Sequence, residues 1–240
     1  MNSQEIIAKN IATLLHNGDF VNLGVGIPTL VSNYIPKNIT VLLHAENGCI
    51  GQYKELDLDI YATKEKAVEW FRQNGDKKKD WRNGHRDMYN AGDKIITLVP
   101  GGCCFDSVMA FAMARGGHID ATVLGALQVD QEGNLANWNV PGKAIKGMGG
   151  AMDLVCGAKK VIVAMKHNAN NGTAKILKKC TFPLTGVQCV DIICTELCMI
   201  EYHDGKMVVV AINPNISKEV LINRTEAEIT FSEHIKQMKV

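Results

Sequence analysis

The sequence lacks any apolar run of the roughly 20 residues that a membrane-spanning helix requires, although 46% of its 240 residues are hydrophobic. It also lacks a strong charge of either sign, because the formal net charge is +1 and the one dense basic run, 77–79, is flanked by Asp76 and Asp80. The N-terminus does not show the charged-then-apolar order of a signal peptide. We therefore expect a cytoplasmic protein that has neither a nucleic acid nor a membrane as a partner.

The eight cysteines include no CxxC pair, and most of them lie among apolar neighbours. The seven histidines are scattered and form no ligand pair. Cysteines in such surroundings behave as small buried hydrophobic residues in a reducing compartment. The sequence therefore predicts free thiols and no metal ion.

The most informative stretch is an apolar run at 41–43 that leads through His44 and Ala45 to Glu46 and the turn residues Asn47-Gly48. The run predicts a buried strand at 39–43, with Glu46 at its carboxyl end. In open α/β sheets the ligand crevice lies at that end of the strands, so a carboxylate there has access to a substrate. The alternative is that Asn-Gly forms an ordinary hairpin and leaves Glu46 solvated.

Two glycine-containing segments follow predicted strands. After a strand at Phe20–Leu23, the motif Gly24-Val25-Gly26-Ile27-Pro28 resembles the start of a dinucleotide-binding fingerprint, but Pro28 stands where that pattern breaks. What remains is a glycine turn that lets the backbone approach a ligand, followed by a helix at 29–34 that begins near a proline.

The second segment carries Gly142, Gly147, Gly149 and Gly150 and precedes a predicted helix at 151–156. Backbone N–H groups exposed at such a helix start stabilise an anion or a developing oxyanion. The alternative is a flexible glycine loop without a ligand.

Strands and helices alternate along the chain, which predicts an α/β fold with an open, mainly parallel sheet and flanking helices in a single domain, 1–240. The composition changes at 51–87, which has the character of an insertion, and the residues after 222 form a weak tail. Further strands are predicted at 94–99, 119–129, 160–165, 190–200 and 207–212, with a turn at 100–102, and further helices near 2–17, 106–115 and 217–222.

The sequence resembles the beta subunits of the class I coenzyme A transferases, particularly the acetoacetate and 3-oxoacid types. The resemblance covers nearly the whole chain apart from 51–87. The residues that carry it are Glu46-Asn47-Gly48, Asn90-Ala91-Gly92, Phe105-Asp106-Ser107, Arg115 to Asp120, Gln128, Asn134 to Trp138, Pro141-Gly142-Lys143, Gly147 to Leu154 and Pro183-Leu184-Thr185.

The resemblance implies the fold of that family, which is similar to the NagB/RpiA fold, and a ping-pong transfer of coenzyme A between an acyl-CoA and a short-chain carboxylate. It implies that Glu46 is the nucleophile that forms a glutamyl-CoA thioester, and that Gly150 is the backbone oxyanion donor. Coenzyme A is then a substrate, and no metal or redox cofactor is implied.

The resemblance further implies substrate-binding roles for Gly26, Asn47, Gly48, Gln128 and Gly149. It also implies an alpha subunit as partner, in a hetero-oligomer such as α2β2. A non-catalytic ligand-sensing domain of the same general fold is the alternative function.

Two features depart from the family pattern. Ala45, preceded by His44, stands where family members commonly carry a serine before the glutamate. The insertion at 51–87 replaces a shorter loop, and we expect it to shape the acyl pocket or the subunit contact.

Overall fold

The computed structural model describes residues 1–55, 88–92, 95–145 and 147–240. The predicted insertion at 51–87 therefore lies largely outside the described residues.

The described residues contain thirteen strands, four α-helices and one 3-10 helix. The helices are α1 (Ser3–Ala12), the 3-10 helix (Ile27–Tyr34), α2 (Ser107–Arg115), α3 (Ala151–Gly157) and α4 (Lys218–Arg224). The strands are β1 (Phe20–Leu23), β2 (Leu42–Ala45), β3 (Cys49–Glu55), β4 (Ile96–Cys104), β5 (Ala121–Leu124), β6 (Gln128–Asp130), β7 (Leu135–Ala136), β8 (Val161–Ala164), β9 (Ile176–Leu177), β10 (Ile192–Cys194), β11 (Cys198–His203), β12 (Lys206–Ile212) and β13 (Ile229–Gln237).

Ten of these strands form one open sheet in the order β13-β12-β11-β10-β8-β5-β1-β2-β3-β4. The five neighbours from β10 to β2 run parallel to one another. Antiparallel strands extend this block at both sides, and β13 pairs parallel to β12 at one edge. The predicted mainly parallel α/β sheet is confirmed. The remaining strands β7, β6 and β9 form a small second sheet.

The central strands are apolar because both of their faces are covered. All four residues of β8 are buried, and alternate side chains enter two different cores. Val161 and Val163 pack in the same cluster as Leu154 of α3, whereas Ile162 packs in the cluster that contains Ile7 and Ile11 of α1. Helices on opposite faces of the sheet therefore hold the parallel strands in place.

Capping and turn residues in the sequence predicted the ends of several helices and strands correctly. Asn2 and Glu5 form a capping box at the start of α1, and the side chains of Asp106 and Ser217 cap α2 and α4. The Asp204-Gly205 turn joins β11 to β12, with both residues at positive φ.

Two predicted long strands are wrong, because each is two strands that belong to different pairings. The run at 119–129 is divided between β5 of the main sheet and β6 of the small sheet. The run at 190–200 turns back at 195–197, where the Thr195 hydroxyl accepts hydrogen bonds from the Leu197 and Cys198 N–H groups at 3.1 Å each. A side-chain acceptor thus replaces strand pairing at the turn.

Three other predictions need correction. The predicted turn at 100–102 is an irregularity inside β4, because pairing with β3 stops at Leu98 and resumes at Cys103 and Cys104. The helix after Gly26 is a 3-10 helix. The weak tail contains the nine-residue strand β13, whose pairing with the exposed edge of β12 supplies the order that its polar sequence does not signal.

Candidate active site

Glu46 lies in the turn between β2 and β3. The Gly48 N–H donates to the Ala45 carbonyl oxygen at 3.0 Å, so the Asn-Gly motif does form a hairpin. The Glu46 side chain is nevertheless half-buried rather than solvated. The strand direction and the tight turn together place this carboxylate at the carboxyl end of the parallel strands.

Gly48 has a conformation and a location that only glycine fits. Its φ is +120°, and a Cβ atom there would overlap the Phe105 carbonyl oxygen. The Phe105 N–H in turn donates to the Gly48 carbonyl oxygen at 3.0 Å. Gly48 thus fixes the turn that carries Glu46 against the segment that leads into α2.

Buried polar side chains from three adjacent parallel strands support Glu46. Asn22 of β1 is in register with His44 of β2 and with Thr122 of β5, so the three side chains share one face of the sheet. Asn22 Nδ2 donates to Glu46 Oε2 at 3.0 Å, and the Thr122 hydroxyl donates to Asn22 Oδ1 at 3.2 Å. Both Asn22 and Thr122 are fully buried. The nucleophile candidate is therefore tied to the sheet through a neutral amide.

His44 adds a second neutral group to this cluster. Burial lowers its pKa from 6.5 to about 4, against an opposing effect of the Ala110 backbone. Its ring packs edge-on against Phe20, with ring centroids 5.3 Å apart. His44 is thus uncharged at neutral pH and leaves the negative charge of Glu46 without a neighbouring imidazolium.

Gly150 lies directly against Glu46. It is the N-cap residue of α3, and a Cβ atom built on it would be 3.3 Å from Glu46 Cγ and 2.7 Å from Cε1 of Phe111. A side chain at this position would therefore press on both the carboxylate arm and the aromatic ring. The structure thus brings together the two residues to which the sequence analysis gave catalytic roles.

A cavity of about 840 Å³ opens in front of these two residues. It lies beyond the carboxyl ends of the parallel strands, where open α/β sheets bind their ligands. Its walls come from the turns after β1 and β5, from the 137–144 segment and from the glycine segment before α3. The lining residues include Gly24, Val25, Glu46, Gly125, Ala126, Asn137, Trp138, Lys143, Met148, Gly149 and Gly150.

The structure does not place Gly26, Asn47, Gly48 or Gln128 in the lining of this cavity. Gln128 Oε1 instead accepts the backbone N–H groups of residues 181 and 182 at 2.9 and 3.0 Å. Asn47 Nδ2 donates to the Tyr89 carbonyl oxygen at 2.7 Å. Gly26 begins the 3-10 helix with φ +91°, next to the cavity residue Val25. Their substrate-binding roles remain predictions, whereas Gly149 does line the cavity.

Sequence reasoning missed Asn22, Thr122 and Phe111. The available signal was a single polar residue inside each of two apolar strands, Asn22 in β1 and Thr122 in β5. A buried amide or hydroxyl needs a hydrogen-bond partner, so both pointed to a polar cluster at that level of the sheet. Phe111 carried no signal beyond its place in an apolar helix.

Within the described ranges, no group of three or more His, Cys, Asp or Glu side chains is arranged to hold a metal ion. The cysteine next to the site, Cys49, is buried, and burial raises the pKa of its thiol to about 12. It is therefore a protonated, unreactive thiol at neutral pH. No helix among the described residues has the length and apolar character needed to cross a membrane.

Residues 4–223 match the family described as Coenzyme A transferase. The chain is 44% identical over 240 residues to the acetate CoA-transferase subunit beta of Haemophilus influenzae, a match that covers 100% of this chain and 97% of that protein. The chain belongs to the coenzyme A transferase family. Within it, the full-length match is to the separate beta subunits of the class I enzymes.

Two longer proteins match this chain over less than half of their own length. The chain is 42% identical over 239 residues to the mitochondrial succinyl-CoA:3-ketoacid coenzyme A transferase 2B of Mus musculus. That match covers 99% of this chain but 42% of the mouse protein. The crystal structure of an acyl-CoA transferase from Escherichia coli O157:H7 superposes with a TM-score of 0.71 at 17% identity, over 99% of this chain and 43% of that one. The structural likeness establishes the fold.

Proposed function

We propose that this chain supplies the nucleophile of a coenzyme A transferase, with Glu46 as the attacking carboxylate and the Gly150 N–H as an oxyanion donor. The reaction moves coenzyme A from an acyl-CoA to a short-chain carboxylate. The observation that carries the assignment is the packing of Glu46 against Gly150 at the wall of the cavity. Sequence similarity to beta subunits of acetate CoA-transferases supports it.

The chemistry requires one carboxylate and balances without any redox step. Glu46 Oε1 attacks the thioester carbonyl carbon, the carbon–sulfur bond breaks, and a mixed anhydride and CoA thiolate result. The thiolate then attacks Cδ of Glu46 and expels the first acid, which leaves with Oε1. The second acid attacks the resulting glutamyl-CoA thioester, and the same two steps in reverse give the new acyl-CoA. The first product thus leaves before the second acid reacts, so we expect ping-pong kinetics.

Each of these steps passes through a tetrahedral intermediate whose oxygen becomes negative. A preorganised N–H donor at that oxygen contributes about 10²–10³ in rate. Gly150 is buried at the start of α3, and a Cβ atom built on it would be 3.3 Å from Glu46 Cγ, which supports an oxyanion role for its N–H. The positive end of the helix favours the same charge.

We further propose that the chain acts together with an alpha subunit, in a hetero-oligomer such as α2β2. The supporting observation is one of length: the chain matches full-length subunits designated beta, but only 42% of the single-chain mouse enzyme. The remainder of that longer chain is then the counterpart of the alpha subunit. Residues of that partner complete the acid pocket, so the choice of acid is a property of the pair.

The test is co-expression with the alpha subunit and measurement of CoA exchange between acetoacetyl-CoA and a series of short-chain acids. Glu46→Gln keeps the side-chain shape but removes the nucleophile, so the complex should assemble and be nearly inactive. Glu201→Gln is the matched control, since Glu201 lies within β11, is absent from the cavity lining and contacts His203. Wild-type turnover by Glu46→Gln would remove Glu46 from the mechanism. A wild-type complex that binds acyl-CoA without exchange would favour a ligand-sensing role.

A further inference from the structure

We propose that the side-chain amide of Asn22 is a second oxyanion donor, one that acts on Glu46 itself. Its N–H stabilises the negative charge that develops on Glu46 Oε2 when the CoA sulfur attacks the Glu46 carboxyl carbon. The inference rests on the proposed role of Glu46 as nucleophile.

The contact involves the atom that will carry the charge. Asn22 Nδ2 lies 3.0 Å from Glu46 Oε2, and Asn22 is fully buried. Its backbone is held in the sheet by pairing on both sides, with β2 and with β5. A donor on a central strand moves little during the reaction, which is the condition for electrostatic preorganisation.

The surroundings fix which end of the amide faces Glu46. Two acceptor oxygens lie on one side of Asn22, Glu46 Oε2 at 3.0 Å and the His44 carbonyl oxygen at 3.3 Å, and the His44 ring Nδ1 is also 3.3 Å away. A flipped amide would place its own oxygen against two other oxygens. On the opposite side, Asn22 Oδ1 accepts the Thr122 hydroxyl at 3.2 Å. The nitrogen therefore points at the carboxylate.

The reaction sequence makes the two oxygens of Glu46 unequal. Oε1 forms the anhydride and departs with the first acid, while Oε2 stays on the carbon that sulfur attacks. In that tetrahedral intermediate the carbon bears sulfur, Oε1 and Oε2, and the charge resides on Oε2 until the bond to Oε1 breaks. A hydrogen bond to Oε2 strengthens as its charge increases, so it favours the intermediate over the neutral anhydride.

The neutral state of the cluster suits this role. A cation beside Oε2 would stabilise the resting carboxylate and lower its reactivity. The groups that hold the Asn22 amide are instead a hydroxyl and an uncharged imidazole, Thr122 and His44. An amide donor interacts most strongly where charge is concentrated on one oxygen, as it is in the tetrahedral intermediate.

The experiment is a single-turnover measurement on the assembled complex. Enzyme is mixed with acetoacetyl-CoA, quenched with borohydride at short times, and the fraction of Glu46 reduced to the alcohol is measured by peptide mass spectrometry. Asn22→Ala removes the donor, and Asn22→Leu removes it while nearly keeping the side-chain volume and adding no charge. We expect both to slow thioester formation by about 10²–10³-fold, with little change in the KM for acetoacetyl-CoA.

Asn10→Ala is the matched control, because Asn10 is also a buried asparagine with two carbonyl acceptors, those of Ile6 and Lys239. We expect it to lose stability but to form the thioester at the wild-type rate. A purely structural role for Asn22 would give the same result as Asn10→Ala.

The outcomes separate this inference from the proposed function. Wild-type thioester rates in Asn22→Leu, with Glu46→Gln inactive, would overturn the role of Asn22 and leave that of Glu46 intact. If the wild-type complex turns over but Glu46 is never labelled, both fall. If Asn22→Ala does not fold, the volume-conserving Asn22→Leu decides the question alone.

Discussion

The substitution Gly150→Ala tests the geometry of the candidate site. Gly150 has φ −85° and ψ 3°, which alanine adopts without strain, so the substitution acts only through the added methyl group. That methyl group would lie 2.7 and 2.9 Å from two ring atoms of Phe111 and 3.3 Å from Glu46 Cγ. Distances under 3.0 Å force a neighbour to move, and overpacking of this kind costs about 1–3 kcal/mol of stability.

The catalytic cost should exceed what stability alone explains. The added methyl group separates the Gly150 N–H from Glu46, and a small misplacement or loss of one oxyanion donor costs about 10²-fold in rate. That factor corresponds to about 2.7 kcal/mol of transition-state stabilisation. We therefore expect kcat of the assembled Gly150→Ala enzyme to fall about 10²-fold in a CoA-exchange assay.

Two further variants separate this effect from general crowding. Gly116→Ala adds a methyl group 2.9 Å from the His118 ring at the end of α2, away from the cavity, and should reduce stability without changing kcat. Adding Phe111→Leu to Gly150→Ala removes the two shortest contacts and should recover part of the lost kcat. Wild-type kcat in Gly150→Ala would refute the placement of Gly150 against the nucleophile.

Three other predictions concern stability and the residues around the site. Gly48→Ala would place a Cβ atom on a residue with φ +120° and in overlap with the Phe105 carbonyl oxygen. Urea denaturation should therefore show that the free energy of unfolding falls by about 2–4 kcal/mol. A decrease under about 1 kcal/mol would contradict the turn geometry. Burial, aided in His167 by nearby cations, lowers the pKa of His44 and His167 from 6.5 to about 4. At a pH between those two values the unfolded chain binds more protons than the folded chain, so stability should fall as the pH drops from about 6.5 to 4, on the order of 3 kcal/mol per histidine. His167→Gln should make stability depend less steeply on pH in urea titrations. An unchanged dependence would show that His167 is not buried in its neutral form. Gln128→Ala leaves backbone N–H groups of the 181–182 segment without their acceptor and should lower the unfolding free energy by about 1–3 kcal/mol. An increase in the KM for acyl-CoA at unchanged stability would instead support the predicted substrate-binding role.

The parts of the fold that the sequence predicted are those with local causes. The capping box of Asn2 and Glu5 marks the start of α1, and the four apolar residues of β8 are covered on both faces. Hairpin and cap residues such as Asp204-Gly205 and Ser217 act on their immediate neighbours. Such signals need no knowledge of the rest of the chain.

The parts that the sequence did not predict depend on distant pairing. An apolar run from 119 to 129 has the same appearance whether it forms one strand or two, and it is the pairing of β6 with β7 and β9 that places β6 in a separate sheet from β5. β13 carries alternating apolar residues such as Ile229 and Phe231, but its order comes from the edge of β12, which lies elsewhere in the sequence. Tertiary context decides such cases.

The candidate site divides in the same way. The position of Glu46 follows from a strand and a tight turn, both of which are local, and its pairing with Gly150 was implied by the family resemblance. The role of Asn22 depends on register between β1, β2 and β5, which a single sequence does not specify. Gln128 was assigned by resemblance alone, and the structure gives its amide another partner.

The most direct test of the central claim is chemical identification of the covalent intermediate. The complex of this chain with its alpha subunit is incubated with acetoacetyl-CoA, reduced with borohydride, digested and sequenced by mass spectrometry. Our account predicts that the side chain of residue 46 alone is converted from a carboxylic acid to an alcohol, and that adding free carboxylate before the borohydride prevents this conversion. Reduction of a different carboxylate, or turnover without any reducible glutamyl thioester, would contradict it.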